Sequence, residues 1–136
     1  GIASRGLGDV YKRQMEKFIF TNGSAEHAEN ILSHLGVYDL FGRDKVFDIQ
    51  DAGYVPKPEA KTFDLMLKKF KINPKETIYI EDIAKNLGIG HERGCYTVWL
   101  INDEHFGKID SNKDYISHKI ENLSLFLKEI RLLKNK

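Results

Sequence analysis

From residue 17 onward, short apolar runs alternate with stretches in which apolar side chains return every three or four positions. That alternation predicts parallel strands joined by crossover helices, an α/β fold. Residues 17–21 read as a buried strand. Ser24 then stands as an N-cap, Ala28, Ile31, Leu32 and Leu35 follow on one helical stripe, and Gly36 closes the helix. Residues 46–49 form a second, short strand. Beyond Lys57 and Pro58 a helix sets Phe63, Met66, Leu67 and Phe70 on one face until Asn73 and Pro74 stop it. Residues 77–81 predict a third strand and residues 84–94 a helix. Residues 96–101 read as a strand buried on both faces, with Trp99 in the core. Residues 102–116 are polar and irregular, a loop. A last helix begins near Glu121, turns Leu123, Phe126, Leu127 and Ile130 inward and frays into its basic end.

The first fourteen residues break this pattern: they are rich in glycine and carry no hydrophobic period. Asp9-Val10-Tyr11-Lys12-Arg13-Gln14 is the translation of GAT GTG TAT AAG AGA CAG, a transposon end used in sequencing libraries. Residues 1–14 are therefore expected to be a disordered scar, and residues 15–136 the protein proper.

Length allows one domain. With 21 Lys and Arg against 20 Asp and Glu, the net charge is +1, so no global field holds nucleic acid or an anionic membrane. Any anionic ligand has to be caught locally. Cys95, the single cysteine, excludes an internal disulfide and argues against a thiolate metal site. No apolar run reaches the length of a membrane span and no signal peptide pattern opens the chain, so a cytoplasmic setting is expected. His27, His34, His91, His105 and His118 show no ligand spacing and read as surface residues.

Ligands of open α/β sheets bind beyond the carboxyl ends of the strands, which directs attention to three places. After the first strand, Thr21, Asn22, Gly23 and Ser24 combine a hydroxyl, an amide, a glycine and a helix start, a plausible phosphate cradle. A plain turn with an N-cap explains the four residues equally well. After the second strand, prolines on both sides hold Lys57 where the next helix starts. A cation is unfavourable there unless an anion neutralises it. A solvated structural lysine is the competing reading. The third strand ends in Glu81 and Asp82, oxygen donors suited to Mg²⁺, with Asn86 one helical turn on. An acidic N-cap would look the same.

A hydroxyl, a lysine and a carboxylate at successive strand ends, in that order, resemble motifs II, III and IV of the haloacid dehalogenase superfamily. The likeness extends to its pyrimidine 5′-nucleotidase subgroup through Phe18-Ile19-Phe20-Thr21-Asn22-Gly23, Phe47-Asp48-Ile49, Ala52-Gly53-Tyr54-Val55-Pro56-Lys57-Pro58, Ile80-Glu81-Asp82-Ile83-Ala84-Lys85-Asn86-Leu87 and Gly94-Cys95-Tyr96-Thr97-Val98-Trp99. The resemblance implies a three-layer αβα Rossmannoid fold with a parallel sheet and a Mg²⁺-dependent phosphatase acting through an aspartyl-phosphate. Thr21, Asn22 and Gly23 would hold the phosphoryl group and Lys57 would neutralise charge on nucleophile and phosphate. Asp82, with Glu81 beside it, would bind Mg²⁺. Asn86 stands where many relatives carry a second acid, and is expected to orient the site by hydrogen bonding. The substrate would be a small phosphate ester, a nucleotide.

The superfamily's Asp-x-Asp-x-Thr strand, with its nucleophile, occurs nowhere in the chain, and neither does the helical cap of this subgroup. The resemblance thus implies that residues 15–136 are the C-terminal part of such a core domain, truncated before its first strand, with an empty central slot between the strands ending at Thr21 and Glu81, unpaired edges, and an inactive chain. The rival readings are a dehalogenase or sugar-phosphate phosphatase of the same superfamily, and a non-catalytic binding module. A receiver-type signalling domain is disfavoured, because there the acidic residues come before the Thr and the Lys comes last.

Overall fold

Strand β2 (Glu16–Phe20) is rich in aromatic and β-branched residues and turns Phe18 and Phe20 to one side of the sheet and Ile19 to the other. The computed structural model describes residues 2–5, 15–34 and 36–134. In these residues β2 is one of six strands, in the order β3-β2-β1-β4-β5-β6. The others are β1 (Ile2–Arg5), β3 (Val46–Phe47), β4 (Ile78–Glu81), β5 (Tyr96–Leu100) and β6 (His118–Ile120). Strand β3 runs parallel to β2, and β4, β5 and β6 run parallel to one another.

Helices cover both faces. The aromatic side of β2, with Tyr79 of β4 and Trp99 of β5, packs on α2 (Ala60–Phe70) and α3 (Leu87–Glu92) through Phe63, Met66, Phe70 and Leu87. On the opposite face Ile19 and Val46 meet Ala25 and Ala28 of α1 (Ala25–His34). Further along that face Ile78, Ile80, Val98 and Ile120 meet Leu123, Phe126, Leu127 and Ile130 of α5 (Leu123–Lys134). The fold is the expected three-layer αβα arrangement.

The slot expected to stand empty is filled. Strand β1 lies between β2 and β4 and is antiparallel to both, with Ile2 opposite Ile19 and Ile80, and Ser4 opposite Lys17 and Ile78. The expectation that the segment before residue 15 holds no strand is corrected for residues 2–5. Two facing rows of unpaired backbone groups in the middle of a sheet take up whatever extended segment reaches them. The direction follows from tether length. Residues 6–15 are fewer than the dozen or more that a parallel crossover needs, so the chain returns antiparallel.

Smaller differences have local causes. Strand β3 keeps two residues of the expected four, because Asp48 leaves the ladder to bond Asp51. Ile31 is exposed, so the inward stripe of α1 narrows to Ala25, Ala28 and a partly buried Leu32; Leu35 lies outside the described residues. The helix expected over residues 84–94 is a 3₁₀ turn, Ala84–Asn86, followed by α3. The polar segment after β5 contains one helical turn, α4 (His105–Lys108), and leads into β6, which the sequence hid because only Ile120 of its three residues is buried. All five histidines are exposed and Trp99 is core, as expected. Cys95 is buried, and burial pushes its thiol up to about 12, so it stays protonated at neutral pH. Among the described residues no helix is long and apolar enough to cross a membrane.

Candidate functional site

The loop leaving β2 is pinned to the loop leaving β3. Thr21 N–H donates to the Phe47 carbonyl and Ile49 N–H to the Gly23 carbonyl, each at 3.0 Å. Asp48, 3% exposed, accepts from Ala25 N–H at 2.9 Å at the start of α1, and exchanges backbone-to-carboxylate bonds of 2.9 Å with Asp51. Within the loop, Gly23 N–H donates to Thr21 Oγ1 at 3.0 Å, and Ser24 Oγ accepts His27 N–H at 3.0 Å as the N-cap. The turn reading and the cradle reading are compatible, since the turn is what presents Thr21.

Asn22 ties this loop to Lys57: its Oδ1 accepts the Lys57 backbone N–H at 2.7 Å. The Lys57 side chain then runs back to the sheet, with Nζ 4.8 Å from the centroid of the Phe20 ring. It donates to the Phe20 carbonyl at 2.9 Å and to Glu81 Oε1 at 2.5 Å. The ammonium thus bridges the carboxyl ends of β2 and β4, two strands with β1 between them. The anion that the sequence required beside this lysine is supplied by the protein itself. Two of its three N–H bonds are used, and the third has no partner among the described residues.

Glu81 and Lys57 are both withdrawn from water, their side chains 1% and 7% exposed. Glu81 Oε1 also accepts the Tyr79 hydroxyl at 3.0 Å. Burial pushes the Glu81 carboxyl up, but neighbouring positive charge, that of Lys57 included, and the hydrogen bonds from Lys57 and Tyr79 outweigh it. The net result is an acid below the ordinary carboxylate range. Tyr79 is pushed well above its ordinary value, by burial first and then by the Glu81 charge.

Asp82 differs from Glu81 in every respect that matters. It is exposed, its carboxylate has no hydrogen bond or ion pair among the described residues, and its position is set through its backbone, whose carbonyl accepts Trp99 Nε1–H at 2.9 Å. Asn86 is buried in the turn that follows. Among the described residues no three His, Cys, Asp or Glu side chains cluster as a ready metal cage. The structure therefore joins Asn22, Lys57 and Glu81 directly, with Thr21 beside them through Phe20. No bond among the described residues links Asp82 or Asn86 to that group. The sequence reading assigned no site role to Asp48, Tyr79 or Trp99. For Tyr79 a signal existed: residues two apart on a strand share a face, so Tyr79 and Glu81 had to point the same way.

Glu81 and Asp48 make the site acid-sensitive. Burial raises the Asp48 carboxyl, but bonds from the Asp51 and Ala25 backbones, the Asp51 side chain and the charge of Arg43 lower it further than burial lifts it. Both acids are stronger folded than unfolded, so the stability they add is complete above the ordinary carboxylate pKa and is lost as pH falls through their folded values. The urea midpoint should be flat from neutral pH down to about 5 and then drop, and Asp48→Asn should shallow the drop. An unchanged acid limb in Asp48→Asn would exclude this share for Asp48.

The sequence pattern of the family described as haloacid dehalogenase-like hydrolase matches residues 9–92. The chain is also similar to an enolase-phosphatase E1 from Shewanella pealeana (strain ATCC 700345 / ANG-SQ1), 25% identical over 97 residues. That alignment covers 71% of this chain and 42% of the relative, so the chain spans about two fifths of the length of the curated relative it matches.

Proposed function

The chain belongs to the haloacid dehalogenase-like hydrolases, and from that we propose that it forms part of a Mg²⁺-dependent phosphatase acting on nucleoside 5′-monophosphates, pyrimidine ones in particular. The observation that carries the reading is the Lys57 bridge: a dehydrated ammonium, fixed at the strand ends beside the Thr21 turn, with one N–H to spare. Phosphoryl transfer needs positioned positive charge and oriented donors more than it needs protein acids and bases. In this reading the Thr21 hydroxyl and the backbone N–H of Asn22 hold phosphoryl oxygens, Gly23 shapes the turn with its own N–H on Thr21 Oγ1, and Lys57 neutralises charge on the phosphate.

Mg²⁺ keeps several waters and needs few protein oxygens. The exposed, unengaged carboxylate of Asp82 fits that demand, whereas Glu81 Oε1 is committed to Lys57 and Tyr79. Bound there, the ion would supply further charge neutralisation at the phosphoryl group. Asn86 is assigned to orienting this corner of the site. The flanking residues around Lys57 and Glu81 support the pyrimidine nucleotidase assignment. Similarity to an enolase-phosphatase favours a second reading, a phosphatase for a non-nucleotide ester.

No Asp-x-Asp-x-Thr sequence occurs in these 136 residues, so the nucleophile of this chemistry is not among them. The purified chain is expected to leave p-nitrophenyl phosphate intact with Mg²⁺ present. Robust turnover that survives further purification would refute this assignment of roles. Supplying a strand that bears the missing motif ahead of Met15 should restore Mg²⁺-dependent hydrolysis. A preference for uridine or cytidine monophosphate over other esters would favour the first reading, and the reverse preference the second.

A further inference from the structure

We propose that Tyr79 is a positioning residue for Lys57, acting through Glu81. Tyr79 lies mid-strand in β4 with no exposed surface, its ring among Phe20, at a centroid distance of 6.3 Å, and Phe63, at 5.3 Å. The site has been shaped to the ring: a Cβ on Gly90 of α3 would collide with Tyr79 Cδ2. Packing alone asks only for a phenylalanine here. The hydroxyl adds a desolvation cost that one bond offsets, and that bond goes to Glu81 Oε1, the oxygen that also accepts Lys57 Nζ.

A glutamate has three side-chain torsions, and each partner on one of its oxygens narrows which oxygen it offers and from what angle. A donor on the same oxygen that accepts Lys57 Nζ, built into the rigid aromatic core, fixes where that oxygen stands. The order of support runs from the core through Tyr79 to Glu81, from Glu81 to Lys57 Nζ, and from there to the Phe20 carbonyl. Tyr79 reaches no ligand itself. Its effect is to keep the ammonium over the end of β2 with its remaining N–H aimed consistently. The value of that placement for catalysis rests on the phosphatase reading; the positioning itself does not.

The test therefore reads the lysine rather than turnover. In the full chain labelled with ¹⁵N-lysine, the Lys57 ammonium protons are expected to exchange slowly enough with water to be observed, because the group is buried and doubly bonded. In Tyr79→Phe the fold, judged by the backbone amide spectrum, should persist while ammonium exchange speeds up about tenfold, the worth of one hydrogen bond to a charged group. Phe63→Leu, which loosens the same core but spares the hydroxyl, should leave that exchange within about twofold of the parent, since it removes no bond to Glu81. Equal acceleration in both variants, or none in Tyr79→Phe, overturns the proposal. A check on the unsubstituted chain covers the case in which Tyr79→Phe does not fold. A slowly exchanging Tyr79 hydroxyl proton close to the Glu81 side-chain protons must be seen, and its absence overturns the proposal as well. Loss of inorganic phosphate affinity in Lys57→Met but not in Glu81→Gln would instead count against the phosphatase-linked role of the bridge while leaving the positioning claim standing.

Discussion

Lys57→Met is expected to lower folding stability by about 3–5 kcal/mol, read as a fall in the urea midpoint at neutral pH. Methionine matches the length of the lysine stem but removes the ammonium, and with it both hydrogen bonds and the cation over the Phe20 ring. What remains is a carboxylate whose side chain is 1% exposed and which has lost its ion pair and hydrogen bond with Lys57. Water cannot replace that partner without opening the ends of β2 and β4. The Tyr79 bond survives, which places the expected loss towards the lower end of the range. Adding Glu81→Gln should recover part of the loss, because the cost of burying a carboxylate without Lys57 disappears with the charge. If Lys57→Met unfolds within 1 kcal/mol of the parent, the bridge is an exposed-type pair of little worth and the reading of this site fails.

Phe63→Ala is the second large effect, about 3–5 kcal/mol. Phe63 is 1% exposed in the largest apolar cluster and lies against the rings of Phe20 and Tyr79. Removing it takes away transfer energy and leaves a cavity that the flanking strands, pinned by their ladders, can close only in part. A midpoint shift below that of Leu67→Ala, whose residue packs against the cluster from a partly buried position, would show that the site collapses freely and that the cluster is not close-packed. The two predictions are separable, since one changes charge at the strand ends and the other changes volume beneath them.

Periodicity was enough to find the elements that bury one clear face. Strands β2, β4 and β5, helix α2 and the inward face of α5 stand close to where the alternation put them, because burial and backbone geometry make the same demand on those residues. Where the two part company the sequence is silent. Strand β6 presents two exposed residues of three, and nothing in His118-Lys119-Ile120 announces pairing with Leu100. Strand β1 is the sharper case. Its place depends on what the rest of the sheet leaves unpaired, a property of β2 and β4 together and not of Ile2-Ala3-Ser4-Arg5. The candidate residues were legible as a set because strand ends are where polar groups cluster, and Asn22, Lys57 and Glu81 do meet. Their partition was not legible. That Glu81 turns inward to Lys57 while Asp82 faces solvent follows from the alternation of the strand and from the Tyr79 hydroxyl, and a doublet of acids in sequence gives no hint of it.

Lys57 fastens β2 to β4 over the end of a strand that neither of its bonds touches. It works as a crossbar whose length is fixed by covalent geometry, and a crossbar reports on the gap it spans. Any strand that widened the gap or bulged near the carboxyl edge would pull the ammonium off either Phe20 or Glu81. A local fault in the middle of the sheet would thus appear as a loss of charge placement at its rim. Quality control of the strand between them is in this sense written into the lysine: the sheet has to be assembled to gauge before the cation stands where an anion can use it.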